Sequence, residues 1–421
     1  MYFWYKILTY LFYPFAPIYI YFRKINGKED PQRYKEKLSK IIVSRDKGFL
    51  IWIHMASVGE AMSVLPLIEN FIEDKKVSKI LLTSITKSSG KILEKKYNEN
   101  SKVVHQFLPL DIPILTRIFL GHWKPNLSIF VDSEIWPNLI WEVKNMKIPL
   151  LLVNARITEK TFKRWRLVKN FSKMIFEKFD LCISANKKTV NFLKILGAKN
   201  VKDYGNLKFS KLKNDLNKNL DIEFENKILS RKIWCAASTH SPEEILCAKS
   251  HLKIKKEYNN ILTIIIPRHI DRSVTIYDNL TNLNLKVVRS SNLKNVDEGT
   301  DVILVDSYGE ALKFYSISKC VFLGKSLVES LTKDSGQNPI EPARLGCKIL
   351  HGPNVSNFED IYKYLETLKI TKQINDSADL ALAIIEYFKE DNIKNSKIVE
   401  KIENYGQNIF KNVMMELKQY I

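Results

Sequence analysis

Three carboxylates stand just beyond apolar runs. The stretch Ile51-Trp-Ile-His-Met-Ala-Ser-Val-Gly-Glu60 ends on a lone acid, and Asp132-Ser-Glu134-Ile-Trp-Pro-Asn138 brings two more. A carboxylate within hydrogen-bond reach of a hydroxyl can take its proton, which contributes about 10²–10⁴-fold to a rate. Glu60 also fits a purely structural pattern, because Ser57-Val-Gly-Glu60 is an S-x-x-E capping box. Gly59 argues for more than a cap. Glycine in a helix's first turn is costly, and it makes better sense where a ligand must approach the backbone. On spacing alone, Glu60 is a base or a cap.

Cations and helix starts suited to an anion follow other apolar runs. Pro267-Arg268-His269 comes after ILTIIIP, the strongest candidate strand. An arginine fork at a strand's carboxyl end matches phosphate oxygens. Lys208 lies in Gly205-Asn-Leu-Lys208-Phe, and Asn154-Ala-Arg156 ends another run. Asp306-Ser-Tyr308-Gly309-Glu310 is a strand-end loop opening a helix. Ser241, Pro242 and Glu244 read as an N-cap, a first-turn proline and a capping acid, leaving Ser238 and Thr239 as free donors. In Ser335-Gly-Gln-Asn338-Pro339-Ile340-Glu341, Asn338 is a natural N-cap and Pro339 a natural first residue, so the helix start offers N–H groups to a phosphate. No P-loop and no G-x-G-x-x-G occurs. The five cysteines form no C-x-x-C pair, and the seven histidines stand singly, so no metal site is expected.

The elements that must position these residues repeat in two series. Candidate strands cover 49–54, 79–84, 103–108, 127–132, 149–154 and 180–185, then 232–237, 261–267, 285–288, 301–306, 320–324 and 348–352. Fully apolar runs alternating with helical patterns predict α/β domains with parallel sheets. The polar stretch 211–227 separates the series. The expected layout is a hydrophobic segment 1–22, a first domain 23–210, a linker 211–230, a second domain 231–400 and a last helix 401–421. Two doubly wound domains facing across a cleft would hold ligands at strand carboxyl ends.

Charge divides along the same line. Residues 1–210 carry 36 Lys+Arg against 18 Asp+Glu, whereas residues 211–421 carry 30 against 28. A basic half implies an anionic partner, membrane or nucleic acid. The N-terminus favours membrane. MYFWYKILTYLFYPFAPIYIYF has one charge, Lys6, and is rich in interfacial aromatics. It barely reaches the roughly 20 apolar residues of a spanning helix, and Pro14 and Pro17 would kink it. The basic residues from Arg23 onward place the rest of the chain on the cytoplasmic side.

Taken in order, SVGE, SEIWPN, NAR, GNLKF, STH, PRH, YGE, KSLV, GQNPIEP and the closing GPNVSNF resemble the Kdo transferases. These membrane-attached enzymes transfer 3-deoxy-D-manno-octulosonic acid (Kdo) from CMP-Kdo to lipid A precursor. The resemblance runs over nearly the whole chain. It implies the GT-B glycosyltransferase fold, with the lipid acceptor on the first domain and the nucleotide sugar on the second. It further implies Glu60 as general base, with Asp132 and Lys208 stabilising the transition state and Glu134 as a possible further acid. CMP contacts would come from Pro267, Arg268, Tyr308, Gly309, Glu310, Asn338, Pro339, Ile340 and Glu341. The family commonly has Glu where Asp132 stands, and a second glycine where Lys325 stands. No metal or resident cofactor, no nucleic acid, anionic inner-membrane lipids as partners and an inner-membrane location follow from the same resemblance. The alternative is another GT-B nucleotide-sugar enzyme acting on a membrane lipid.

Overall fold

Apolar, largely β-branched runs become strands buried on both faces, as a parallel sheet covered by helices requires. The computed structural model describes residues 1–41, 43–210, 220–228, 230–328, 335–390 and 396–421. The first sheet contains β1 (Phe49–His54), β2 (Val77–Ser84), β3 (Val103–Phe107), β4 (Leu127–Val131), β5 (Leu150–Ala155), β6 (Leu181–Ser184) and β7 (Val201–Asp203). Their order is β3-β2-β1-β4-β5-β6-β7, and every pair is parallel. The second contains β8 (Lys232–Thr239), β9 (Ile261–Pro267), β10 (Val287–Arg289), β11 (Val302–Leu304), β12 (Cys320–Leu323), β13 (Lys348–His351) and β14 (Thr371–Gln373). Its order is β10-β11-β9-β8-β12-β13-β14, again parallel throughout.

Both sheets are doubly wound, and each reverses direction once, between β1 and β4 and between β8 and β12. A crevice opens outside strand carboxyl ends at such a reversal. Glu60 follows β1 and Asp132 follows β4, so the acids flank the first reversal. Ser238–His240 and Gly324–Leu327 flank the second.

The chain forms two compact units, Met1–Lys211 with Tyr405–Ile421, and Leu212–Asn404. In the first, Trp52 is fully buried and meets Phe119 and Phe130 edge-on at 5.2 and 5.1 Å. In the second, Trp234, Ile265 and Phe322 form a core with Ala248 of helix Glu243–Ile254 and Ile384 of helix Ser377–Lys389.

β7 and β14 have no counterpart among the expected strands. Both are three residues long, polar and at a sheet edge, so hydrophobic patterning has nothing to register. The last helix runs Ser396–Leu417, and its residues from Tyr405 onward join the first unit rather than standing apart. Gly406 lets it lie on the Phe209 carbonyl, where a Cβ would come within 2.2 Å of the oxygen. The Tyr204 hydroxyl donates to Glu416 at 2.6 Å. Residues 211–219 of the expected linker lie outside the described residues, and Ile222–Ile228 is helical.

Residues 2–25 form two short helices, Tyr2–Phe12 and Ala16–Ile25, joined by a 3-10 turn holding Pro14. Pro17 sits at the start of the second helix, where a proline restarts a helix rather than kinking it. Among the described residues no helix is long and apolar enough to cross a membrane. One face of the pair is docked. Tyr2 stacks on Trp141 at 4.2 Å, the Tyr5 hydroxyl donates to Asp111 at 2.8 Å, and Asn138 donates to Thr9 at 2.9 Å. The other face exposes Phe3, Trp4, Leu8, Leu11, Phe15 and Phe22.

Asp111 joins these helices to the rest of the unit. Its buried carboxylate also accepts the N–H groups of Asn138 and Leu139, at 3.0 and 2.8 Å, at the start of helix Pro137–Asn145. It caps that helix from outside the helix sequence. Asp111→Ala should therefore cost about 2 kcal/mol in a denaturant titration, the value of a lost cap in a buried setting. A change within experimental error would show that the cap contributes nothing.

Candidate active site

Glu60 is the third residue of helix Val58–Glu73, which starts four residues after β1 ends. Ser57 is the N-cap, its Oγ accepting the Glu60 N–H at 3.4 Å. The Glu60 carboxylate accepts the Ser57 hydroxyl at 2.8 Å and the Ala56 N–H at 2.7 Å. It thus reaches one residue past the N-cap, whereas a capping box would return to the N–H of Ser57 itself. Gly59 is exposed, and a Cβ there would meet only Ser57 Oγ, at 4.0 Å, so the space above the helix start is open.

Burial pushes the Glu60 carboxyl up to about 7. The Ala56 N–H opposes this rise, and the negative charges of Glu134 and Asp132 add to it. A carboxylate tuned near neutrality is what proton abstraction from a hydroxyl requires.

Asp132 follows β4 directly, in the left-handed region at φ +62°. Burial pushes its carboxyl up to about 6, against the pull of the Lys208 and Arg156 cations. Asn154, at φ +55° within β5, accepts the Leu207 N–H at 2.9 Å and so fixes the turn Leu207–Ser210 that carries Lys208. The Arg156 N–H meets the Asp132 carbonyl at 3.3 Å. Two non-glycine residues held at positive φ beside adjacent strand ends each cost of order 1–3 kcal/mol, a cost tolerated where side chains must be aimed. The fold therefore gathers Glu60, Asp132, Glu134, Lys208 and Arg156 at one edge of the first unit.

Sequence reasoning missed the support of Glu134. Its Oε2 accepts His54 Nε2 at 3.1 Å and Trp136 Nε1 at 2.8 Å. Trp136 is partly buried against the core, and its indole N–H is committed to this acid. The available signal was a histidine closing the otherwise apolar strand FLIWIH.

In the second unit the expected donor residues lie in loops at strand carboxyl ends. Pro267 closes β9, Arg268 is exposed, and its N–H donates to the Thr239 carbonyl at 3.0 Å. Thr239 Oγ1 is buried and has no partner among the described residues. The His240 and His269 rings meet edge-on at 5.6 Å. Tyr308 is 68% exposed, Gly309 turns the chain at φ +84°, and Glu310 pairs with Lys313 at 2.7 Å before helix Ala311–Ile317.

Two expectations for this unit need correction. Ser241 is not an N-cap. The helix starts at Glu243, whose carboxylate instead gathers the N–H groups of His240, Lys325, Ser326 and Leu327 at 2.8–3.2 Å. It ties the loop after β8 to the loop after β12. The helix after Asn338 starts at Ile340 and has only five residues, with Asn338 Oδ1 accepting the Ile340 N–H at 3.2 Å. So short a helix offers little dipole to a phosphate. Asn338, Pro339, Ile340 and Glu341 are placed instead by loop packing. Gly336, at φ +85° and tight against Val355, donates its N–H to the Lys325 carbonyl at 2.7 Å. Lys325 itself stands at φ +54°, a conformation that glycine adopts freely.

Residues 31–211 match the sequence family described as 3-deoxy-D-manno-octulosonic-acid transferase (kdotransferase). A 3-deoxy-D-manno-octulosonic acid transferase of Rickettsia bellii is 35% identical over 97% of this chain and 94% of its own length. One of Haemophilus influenzae is 30% identical over 85% of this chain and 82% of its own. Among solved structures, the UDP-GlcNAc 2-epimerase of Neisseria meningitidis covers 88% of this chain and all of its own, with a TM-score of 0.59 at 13% identity. That likeness concerns the fold alone, an α/β architecture of GT-B type. The chain belongs to the 3-deoxy-D-manno-octulosonic acid transferase family of glycosyltransferases.

Proposed function

We propose that the chain transfers Kdo from CMP-Kdo to a sugar hydroxyl of a lipid A precursor, with inversion at the anomeric carbon. The observation that carries this reading is Glu60, a carboxyl raised to about 7 beside open space at the first sheet's reversal point. A sugar hydroxyl is a poor nucleophile until its proton is removed. Attack at the anomeric carbon passes through an oxocarbenium-like state, and CMP leaves as a phosphate monoester anion. Lys208 and Asp132 stabilise the transition state. Arg268, with Pro267, Tyr308, Gly309, Glu310, Asn338, Pro339, Ile340 and Glu341, contacts the CMP moiety. Protein cations meet the growing charge, so the reading needs no metal and no resident cofactor.

The same reading places the enzyme on the cytoplasmic side of the inner membrane. The exposed aromatic face of residues 2–25, followed by Arg23, Lys24 and Lys28, suits an interfacial attachment to anionic lipids rather than a span. Nucleic acid is not proposed as a partner.

Incubation with CMP-Kdo and tetraacyl lipid A precursor, followed by mass spectrometry, tests the reaction. The expected product carries the mass of one or more Kdo residues. Calorimetric titration should show CMP binding, with UMP and UDP weaker. Binding of UDP in preference to CMP would point to a different nucleotide sugar.

A further inference from the structure

Glu134 is the second acid that sequence alone leaves without a role, and its hydrogen bonds give it one. Oε2 takes both of its donors, His54 Nε2 and Trp136 Nε1. Behind His54 lies a set of fixed contacts. The Trp52 indole donates to Thr83 Oγ1 at 2.9 Å. His54 Nδ1 lies 2.9 Å from that hydroxyl and 3.3 Å from the Thr83 carbonyl, so it has both a donor and an acceptor within reach. Nε2 faces the Glu134 carboxylate, which can only accept, so the proton between them is carried by His54. His54 is fully buried and its ring packs edge-on against Phe130 at 5.5 Å, so it is fixed in place. Oε1 of Glu134 has no protein donor among the described residues.

We propose that Glu134 is a positioning residue rather than a second base. His54 and Trp136 lock it as a fixed negative charge beside Glu60, and that charge tunes Glu60 as the proton acceptor of the transfer. The proposal rests on the reading of Glu60 as the base. It is supported by the electrostatic reach of Glu134 to both Glu60 and Asp132. Charged groups of several elements face this cluster. Asp132 shares the loop after β4, Arg156 comes from the loop after β5, and Lys208 comes from the turn Leu207–Ser210. Helix Lys87–Tyr97, packed on the Glu60 helix, holds Lys87 within reach of Asp30 and pairs Lys96 with Glu69 at 3.2 Å. β1 supplies His54 and Trp52, and β2 supplies Thr83.

The test is the pH dependence of kcat for CMP release with lipid acceptor present. Glu134→Gln keeps an oxygen for both N–H donors, so it folds as the parent does, but it removes the charge. Its acid limb should move down by about one pH unit, while the plateau falls less than about tenfold. His54→Gln keeps a donor near the Nε2 position and should leave the limb unmoved. His54→Ala should shift it as Glu134→Gln does, and His54→Ala with Glu134→Gln should shift it no further. Thermal melts establish folding, and if His54→Ala fails to fold, the two glutamine variants decide. An unmoved limb in Glu134→Gln, or a loss as deep as that of Glu60→Gln, overturns the proposal. If Glu60→Gln itself still transfers Kdo, the base reading falls and takes this one with it. An inactive Glu60→Gln beside an unmoved Glu134→Gln limb sinks this proposal alone.

Discussion

Glu60→Gln is expected to lower kcat for Kdo transfer by about 10²–10⁴-fold while leaving CMP affinity unchanged. Glutamine keeps the size of the side chain and an oxygen for the Ala56 N–H and the Ser57 hydroxyl, the two donors that the carboxylate now accepts. Only the capacity to take a proton is lost. The parent should show an acid limb near pH 7, where burial has placed the Glu60 carboxyl.

Stability separates the base from the cap. A carboxyl raised in the folded state contributes stability that is present below its unfolded value and is lost as pH rises through the folded value. Glu60 therefore costs folding free energy above about pH 7. Glu60→Gln should be at least as stable as the parent at about pH 8, and the relative gain should vanish below about pH 4. If the side chain serves only as a cap, the pattern inverts. The variant would keep its activity and lose about 0.5–2 kcal/mol. Denaturant titrations at the two pH values, beside the activity assay, distinguish the cases.

Much of this arrangement could be read from residue order, for a physical reason. Strands buried on both faces must be continuously apolar, so β1, β4 and β9 show plainly as FLIWIH, LSIFV and ILTIIIP. Charged groups that follow such runs must then lie at strand carboxyl ends, and that is where Glu60, Asp132 and Arg268 stand. What could not be read depends on contacts distant in sequence. The His54–Glu134 pair spans 80 residues, the Asp111 cap on Leu139 spans 28, and the Glu243 carboxylate reaches Leu327 across 84. Local motifs misled where two bonding patterns share one spacing. Ser241-Pro-Glu-Glu244 looked like a self-contained cap, yet the acid next to it was recruited by another loop. The docking of the N-terminal segment was hidden for a related reason. Its composition is apolar throughout, but Tyr2, Tyr5 and Thr9 line up on one face and dock, and the two prolines divide its length.

Lys208→Met should reduce kcat by about 10²–10³-fold, the range for removing one preorganised charge from a transition state. It should also leave a second mark. The Lys208 cation is the larger of two charges holding the Asp132 carboxyl down against burial, with Arg156 the other. Without it, Asp132 rises above its present value of about 6 and holds its proton to higher pH. The acid limb of the residual activity should therefore move up, opposite in direction to the shift expected for Glu134→Gln. Lys208→Arg restores the charge on a differently shaped head, so the limb should return while the rate recovers only in part. Lysine and its turn are held through Asn154, whose side chain accepts the Leu207 N–H, so neither variant disturbs the backbone that aims residue 208. A Lys208→Met variant with unchanged kcat and an unmoved limb would reduce Lys208 to a surface charge with no part in the transfer.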